Sequence, residues 1–148
     1  MSHLLLKDTF DNFSFIEGEI TTFNKFTISG FLQEDFFDEK PEETYSRWNK
    51  IRDFCFRIIR GKRTPLGFKI VLALPEDQIP YFLTAHGLTG YRPEEIRGLY
   101  LNFHYDGHHL QCITGTSLNT FTMDKSIERE WDQEVKNILK SRSIEGDY

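Results

Sequence analysis

The sequence predicts an α+β fold: one domain, rich in antiparallel strands, with three to four helices. Three observations carry this. Short runs of Phe, Ile and Thr alternate with polar residues and are punctuated by Gly and Asn, the habit of strands. Elsewhere apolar residues recur at helical spacing, most plainly Ile127, Trp131, Val135, Ile138 and Leu139. The pair Asp106-Gly107, set between two alternating runs, marks a tight hairpin. With 148 residues, 39% of them apolar, the chain can bury one core.

In chain order, residues 11–33 read as two or three strands, with a turn at either Glu17-Gly18 or Asn24-Lys25. An acidic segment follows. Pro41, Glu42 and Glu43 then suit the first turn of a helix over 42–52, along which Tyr45, Trp48 and Ile51 stand three apart. Residues 54–60 alternate as a strand, the preferred reading, although Trp48, Ile51, Cys55 and Ile58 offer a competing helical stripe that would carry the helix to Gly61. Residues 61–65 resemble a hairpin loop leading to a strand over 68–74. Pro75, Glu76 and Asp77 open a helix that turns Ile79, Phe82 and Leu83 inward and stops at Gly87, with Pro80 in or near its first turn.

The hairpin pairs Leu99–Tyr105 with His108–Thr114 on a type I′ turn, placing 105 opposite 108. That register puts Leu99, Leu101, Phe103, Tyr105, His108, Leu110 and Cys112 on the core face. Gly115-Thr116-Ser117 reads as a turn, a short strand as covering 118–122, and Asp124 as the cap of the last helix. The domain is expected over 1–140, with 141–148 a flexible tail. Strand, helix, strand, strand over 68–114 and helix, strand, strand over 3–33 permit two pseudo-equivalent βαββ halves. Sliding-clamp domains share that half-unit, a likeness of fold that assigns no function.

Charge is unevenly spread. The net charge is −5, yet residues 54–75 hold Arg57, Arg60, Lys62, Arg63 and Lys69 and no acid. Glu34, Asp35, Asp38, Glu39, Glu42 and Glu43, by contrast, crowd a segment with only Lys40 in return. Overall acidity excludes wholesale coating of nucleic acid but leaves room for a local basic contact. Cys55 and Cys112 lie far apart among apolar neighbours and read as reduced thiols; the only N-terminal apolar run is Leu4-Leu5-Leu6. A cytoplasmic protein without membrane contact is the expectation.

The densest cationic feature, Arg57, Arg60, Lys62 and Arg63 with the hydroxyl of Thr64 beside them, suits binding of an acidic protein surface, nucleic acid or phosphate. It lacks the spacing of a phosphate-binding P-loop, and a solvated tip or an internal partner for the 34–43 acids is the plainer reading. In the register above, His104 and His109 face each other and could share a metal, though zinc needs at least one more ligand, such as His86 or a carboxylate. Ser117 lacks the elbow motif of a hydrolase nucleophile, and no dinucleotide fingerprint, zincin or calcium motif occurs, so no cofactor is expected. The leading expectation is therefore a non-catalytic binding protein with a protein partner or self-association. Nucleic-acid contact through 57–63 and a small metal-dependent hydrolase built on His104, His109 and Ser117 are the alternatives.

Phe15-Ile16-Glu17-Gly18, Ile20-Thr21-Thr22-Phe23-Asn24, Phe54-Cys55-Phe56, Gly61-Lys62-Arg63-Thr64-Pro65-Leu66, Gly115-Thr116-Ser117 and Asp124-Lys125-Ser126 together resemble an uncharacterised bacterial family of short proteins, a domain of unknown function. The likeness covers nearly the whole chain and implies no activity, cofactor or site residue. It also implies a further strand and half a helix before Met1, so that either this start is internal or a sheet edge is left open. An open edge invites pairing with another chain and a solution mass above that of a monomer.

Overall fold

The computed structural model describes residues 1–148 except Lys62, Glu145, Asp147 and Tyr148. It is α+β, with four helices and a five-stranded antiparallel sheet. The helices are α1 (Ser2–Leu5), α2 (Trp48–Ile59), α3 (Ile79–Ala85) and α4 (Ser126–Ser141). The strands are β1 (Ser14–Thr21), β2 (Lys25–Ser29), β3 (Gly67–Ala73), β4 (Ile96–Tyr105) and β5 (Leu110–Leu118), in the order β2-β1-β3-β4-β5. In each hairpin the first strand is the inner one and the second an edge. The run β3-α3-β4-β5 is one βαββ unit; the earlier run is α1-β1-β2. Among the described residues no helix is long and apolar enough to cross a membrane.

Two compact units form. The first comprises Met1–Ala73 with Asn102–Ile113, the second Leu74–Leu101 with Thr114–Tyr148. In the first, β1 pairs with β2 and β3, the turn falling at Thr22–Asn24, where the Thr22 N–H donates to the Asn24 carbonyl at 2.9 Å. Gly18 is thus mid-strand rather than at a turn: the Phe15 ring lies over it, 3.2 Å from where a Cβ would stand. Phe15, Ile20, Phe68, Ile70, Leu72 and Phe103 are buried on one side. Glu17, Lys25, Lys69, His104 and Gln111, alternating with them, are exposed on the other. Trp48 of α2 is fully buried, its ring 5.6 Å from Phe15 and its Nε1–H donating to the Leu4 carbonyl at 2.9 Å, so α1 and α2 are joined beneath the strands.

Several expectations are corrected. Residues 54–60 are helical up to Ile59, because Trp48, Cys55 and Ile59, spaced seven and four apart, make one buried stripe while Phe54 is 58% exposed. The helix expected over 42–52 forms only from Trp48 onward. Residues 44–47 pair in extended form instead: Leu32 N–H donates to Thr44, Ser46 N–H to Gly30 and Phe15 N–H to Ser46. Those backbone groups are satisfied by neighbouring strands, and α2 starts only at Trp48. Residues 61–65 consequently link a helix to β3 rather than two strands.

In the second unit, a 3₁₀ turn at Glu76–Gln78 leads into α3, and Gly87, at φ +68°, ends the helix as expected. Phe82 meets Trp131 edge-on at 5.7 Å, and Trp131 Nε1–H donates to the Tyr100 carbonyl. Asp124 is not the cap of α4 that the sequence predicts: Lys125 holds the N-cap position with no side-chain cap bond, and Asp124 accepts from the Ser126 N–H at 3.0 Å one residue earlier. Residues 115–117 do not turn, and no separate strand covers 118–122: β5 runs straight to Leu118. Gly115 between two threonines is tolerated in an edge strand, where one side carries no ladder.

Candidate functional site

The β4–β5 turn decides the geometry of the proposed histidine pair. Asp106 accepts from the N–H groups of both His108 and His109, at 2.8 and 2.7 Å, and its own N–H donates to the His109 carbonyl. The two central residues are therefore Gly107, at φ +97°, and His108, with the φ signs of a type II′ turn. The two backbone N–H groups, His109 first and His108 next, hold the Asp106 carboxyl below the usual carboxylate range. Pairing 106 with 109 slides the expected register by two residues. The faces survive, with Leu99, Leu101, Phe103 and Tyr105 buried, but His108 is exposed and Leu110 and Cys112 are only half-buried. His104 now stands opposite Gln111 rather than His109, and among the described residues no group of three or more His, Cys, Asp or Glu gathers as metal ligands.

His104 instead lines a shallow cleft of about 260 Å³ on the open sheet face, with Glu19, Thr21, Lys69 and Asp106. Its two carboxylates are already engaged, Glu19 with Lys25 at 3.3 Å and Asp106 in the turn. The cleft thus presents a mixed set of charges rather than a convergent one.

The cationic residues fall at the end of α2 and in the link beyond it. Arg57 and Arg60 lie on the exposed helix face with Lys50, Asp53 and Phe54. Arg57 pairs with Asp53 at 2.7 Å and sets its guanidinium over the Phe54 ring, 5.9 Å from the centroid. Arg60 closes the helix, donating its N–H to the Phe56 carbonyl. Arg63 and Thr64 are exposed beyond it, and Lys62 lies outside the described residues. Positive charge here also complements the negative helix end. Pro65 is buried and the Leu66 N–H donates to Thr21, which tethers the link, yet the Leu66 side chain is 69% exposed. The result is an arginine-rich helix end continuing from an exposed phenylalanine, whereas the exposed Leu66 borders the open-face cleft.

Residues 3–147 match the model of a family described as "Family of unknown function (DUF5721)". The chain belongs to that family. This agrees with the uncharacterised family that the sequence resembles. No curated protein and no solved structure matches. The DUF5721 match takes in the α2 face, the sheet cleft and the acidic segment alike.

Two features of this DUF5721 chain escaped the sequence. Phe54 is hidden by the strand pattern over 54–60, which assigns it to a sheet face. His86, at the end of α3, lies between two carboxylates of α4, with Nδ1 at 2.8 Å from Glu130 Oε2 and Nε2 at 2.6 Å from Glu134 Oε2. The only available signal was the four-residue spacing of the two glutamates, one helical turn apart.

Proposed function

We propose that the chain is a non-catalytic, cytoplasmic binding protein whose contact surface is the outward face and end of α2, with Arg57, Arg60 and Arg63 as its charged members and Phe54 as its apolar one. One observation carries this reading: an exposed phenylalanine with an arginine across its ring, continuing into further exposed arginines. Arginine with aromatic side chains is the composition enriched where protein surfaces bind, because both contribute large contact area and the guanidinium directs it toward carboxylates. The partner is an acidic protein segment. The cytoplasmic assignment is supported by Cys55 and Cys112, neither of which is in a disulfide.

The test is affinity capture from native lysate with wild-type protein and with Arg57, Arg60, Lys62 and Arg63 all replaced by Ala. Partners lost from the variant mark this surface; an unchanged set removes it. Titration with single-stranded oligonucleotides across a salt series separates the nucleic-acid reading, which requires affinity to fall steeply as salt rises.

A further inference from the structure

The basic face has a counterpart on the same chain. Residues 33–43 project from a root clasped by strand-like pairing, with Leu32 N–H on the Thr44 carbonyl at 3.0 Å and Ser46 N–H on Gly30 at 2.9 Å. From Gln33 to Lys40 every residue is exposed. Phe36 is 85% and Phe37 42% exposed, their rings edge to face at 5.5 Å. Around them stand six acids and one lysine, and Lys40 itself pairs with Glu34 at 3.8 Å. Two aromatics held out on a pinned acidic loop are an unfavourable exposure of apolar surface unless something covers them.

Within one molecule, among the described residues, no ion pair joins this arm to the arginines of α2. Glu43 engages Arg47, and Arg57 engages Asp53. We infer that the acidic–aromatic arm of one copy docks on the arginine-rich α2 face of a second copy, Phe36 and Phe37 covering Phe54 while Asp35, Asp38 and Glu39 meet Arg57, Arg60 and Arg63. The inference rests on the α2 face being a binding surface and names its occupant. Opposite charge on both sides and uncovered aromatic surface on both sides make the two complementary. The contact is head-to-tail, so each dimer leaves one arm and one face free for further growth or for ring closure. A loop on a helix face buries less than a standard interface, below about 1,200 Å², so association is weak and reversible.

Analytical ultracentrifugation of the full chain tests this. Wild-type mass should rise with protein concentration, and high salt should weaken association roughly tenfold or more. The face-reversed variant, Arg57→Glu/Arg60→Glu/Arg63→Glu, and the arm-reversed variant, Asp35→Lys/Asp38→Lys/Glu39→Lys, should each be monomeric alone and form heterodimers when mixed. Removing the aromatics from the arms of both partners, Phe36→Ser/Phe37→Ser, should abolish the heterodimer although every charge is unchanged, which separates docking from bulk attraction. A monomeric wild type at every concentration overturns the inference, with lysate capture still an independent measure of the α2 face. Wild-type association lost on face reversal but kept on arm reversal also overturns it, and then the face stands as a binding surface with another occupant.

Discussion

His86 shows what a single side chain contributes here. Its ring is 12% exposed and faces a carboxylate from each nitrogen, a geometry that only the doubly protonated imidazole satisfies by donating twice. Burial is the largest single influence and disfavours the charged ring. The hydrogen bonds to Glu130 and Glu134, with their charges, together outweigh it and raise the pKa above the ordinary 6.5. A folded-state pKa above the unfolded one means that the stabilisation is fully present below about pH 6.5 and is lost as pH climbs through the folded value. His86→Gln should therefore cost about 1–3 kcal/mol in mildly acidic buffer, and the gap to wild type should shrink as the medium becomes alkaline. Urea unfolding across a pH series checks this; a constant gap would mean that the ring does not titrate between the two glutamates. Glycines give a second contrast. A Cβ on Gly30 would stand 1.8 Å from the Phe15 carbonyl oxygen, whereas one on Gly61 meets nothing within 4 Å. Gly30→Ala should lower stability by more than about 2 kcal/mol, and Gly61→Ala should stay within about 0.5 kcal/mol of wild type in thermal unfolding.

At the scale of elements, α2 is where local pattern and tertiary packing compete. Its sequence satisfies both periods: alternation over 54–60, and a helical stripe through Trp48 and Cys55. Short apolar runs do not discriminate between them. What decides is the burial of Trp48 beside Phe15 and its hydrogen bond to the Leu4 carbonyl, a contact across forty-four positions that no window of sequence contains. Trp48→Phe keeps an aromatic but leaves that carbonyl unpaired, so it should cost about 1–3 kcal/mol, read by denaturant unfolding. Cys55, one stripe position along, is buried and its thiol is pushed up to about 12 by that burial. A thiol reagent in mildly alkaline buffer should modify half-exposed Cys112 in the native protein and reach Cys55 only as fast as the chain unfolds. Equal rates at both would mean that α2 is not packed against β1 as described.

For the whole molecule, the arm is separable from the structure that presents it. Its root is closed by backbone pairing and its side chains from 33 to 40 are exposed. Replacing residues 34–42 with a short Gly-Ser linker should leave the melting temperature within a few degrees of wild type, because loop length alters closure entropy only slowly, on the order of 0.6 kcal/mol per doubling. The same deletion should abolish concentration-dependent association. A deletion that unfolds the protein would show that the acidic segment is part of its core instead.

The α+β class, the strands on either side of Asp106-Gly107, the helix stopped at Gly87, the inward stripe of α4 and the opposed charge of 34–43 and 57–63 were all legible in the sequence. Each is written in periodicity, a special glycine or local charge, within a few residues of where it acts. Tertiary structure alone decided that α2 is a helix, that residues 44–46 pair with 30–32, that the Asp106 side chain shifts the hairpin by two, and that His86 meets Glu130 and Glu134. Those outcomes depend on groups distant in sequence or on a side chain displacing the expected backbone pairing. Phe54 belongs with them: only when α2 became a helix did its ring turn outward beside the arginines and become part of a surface.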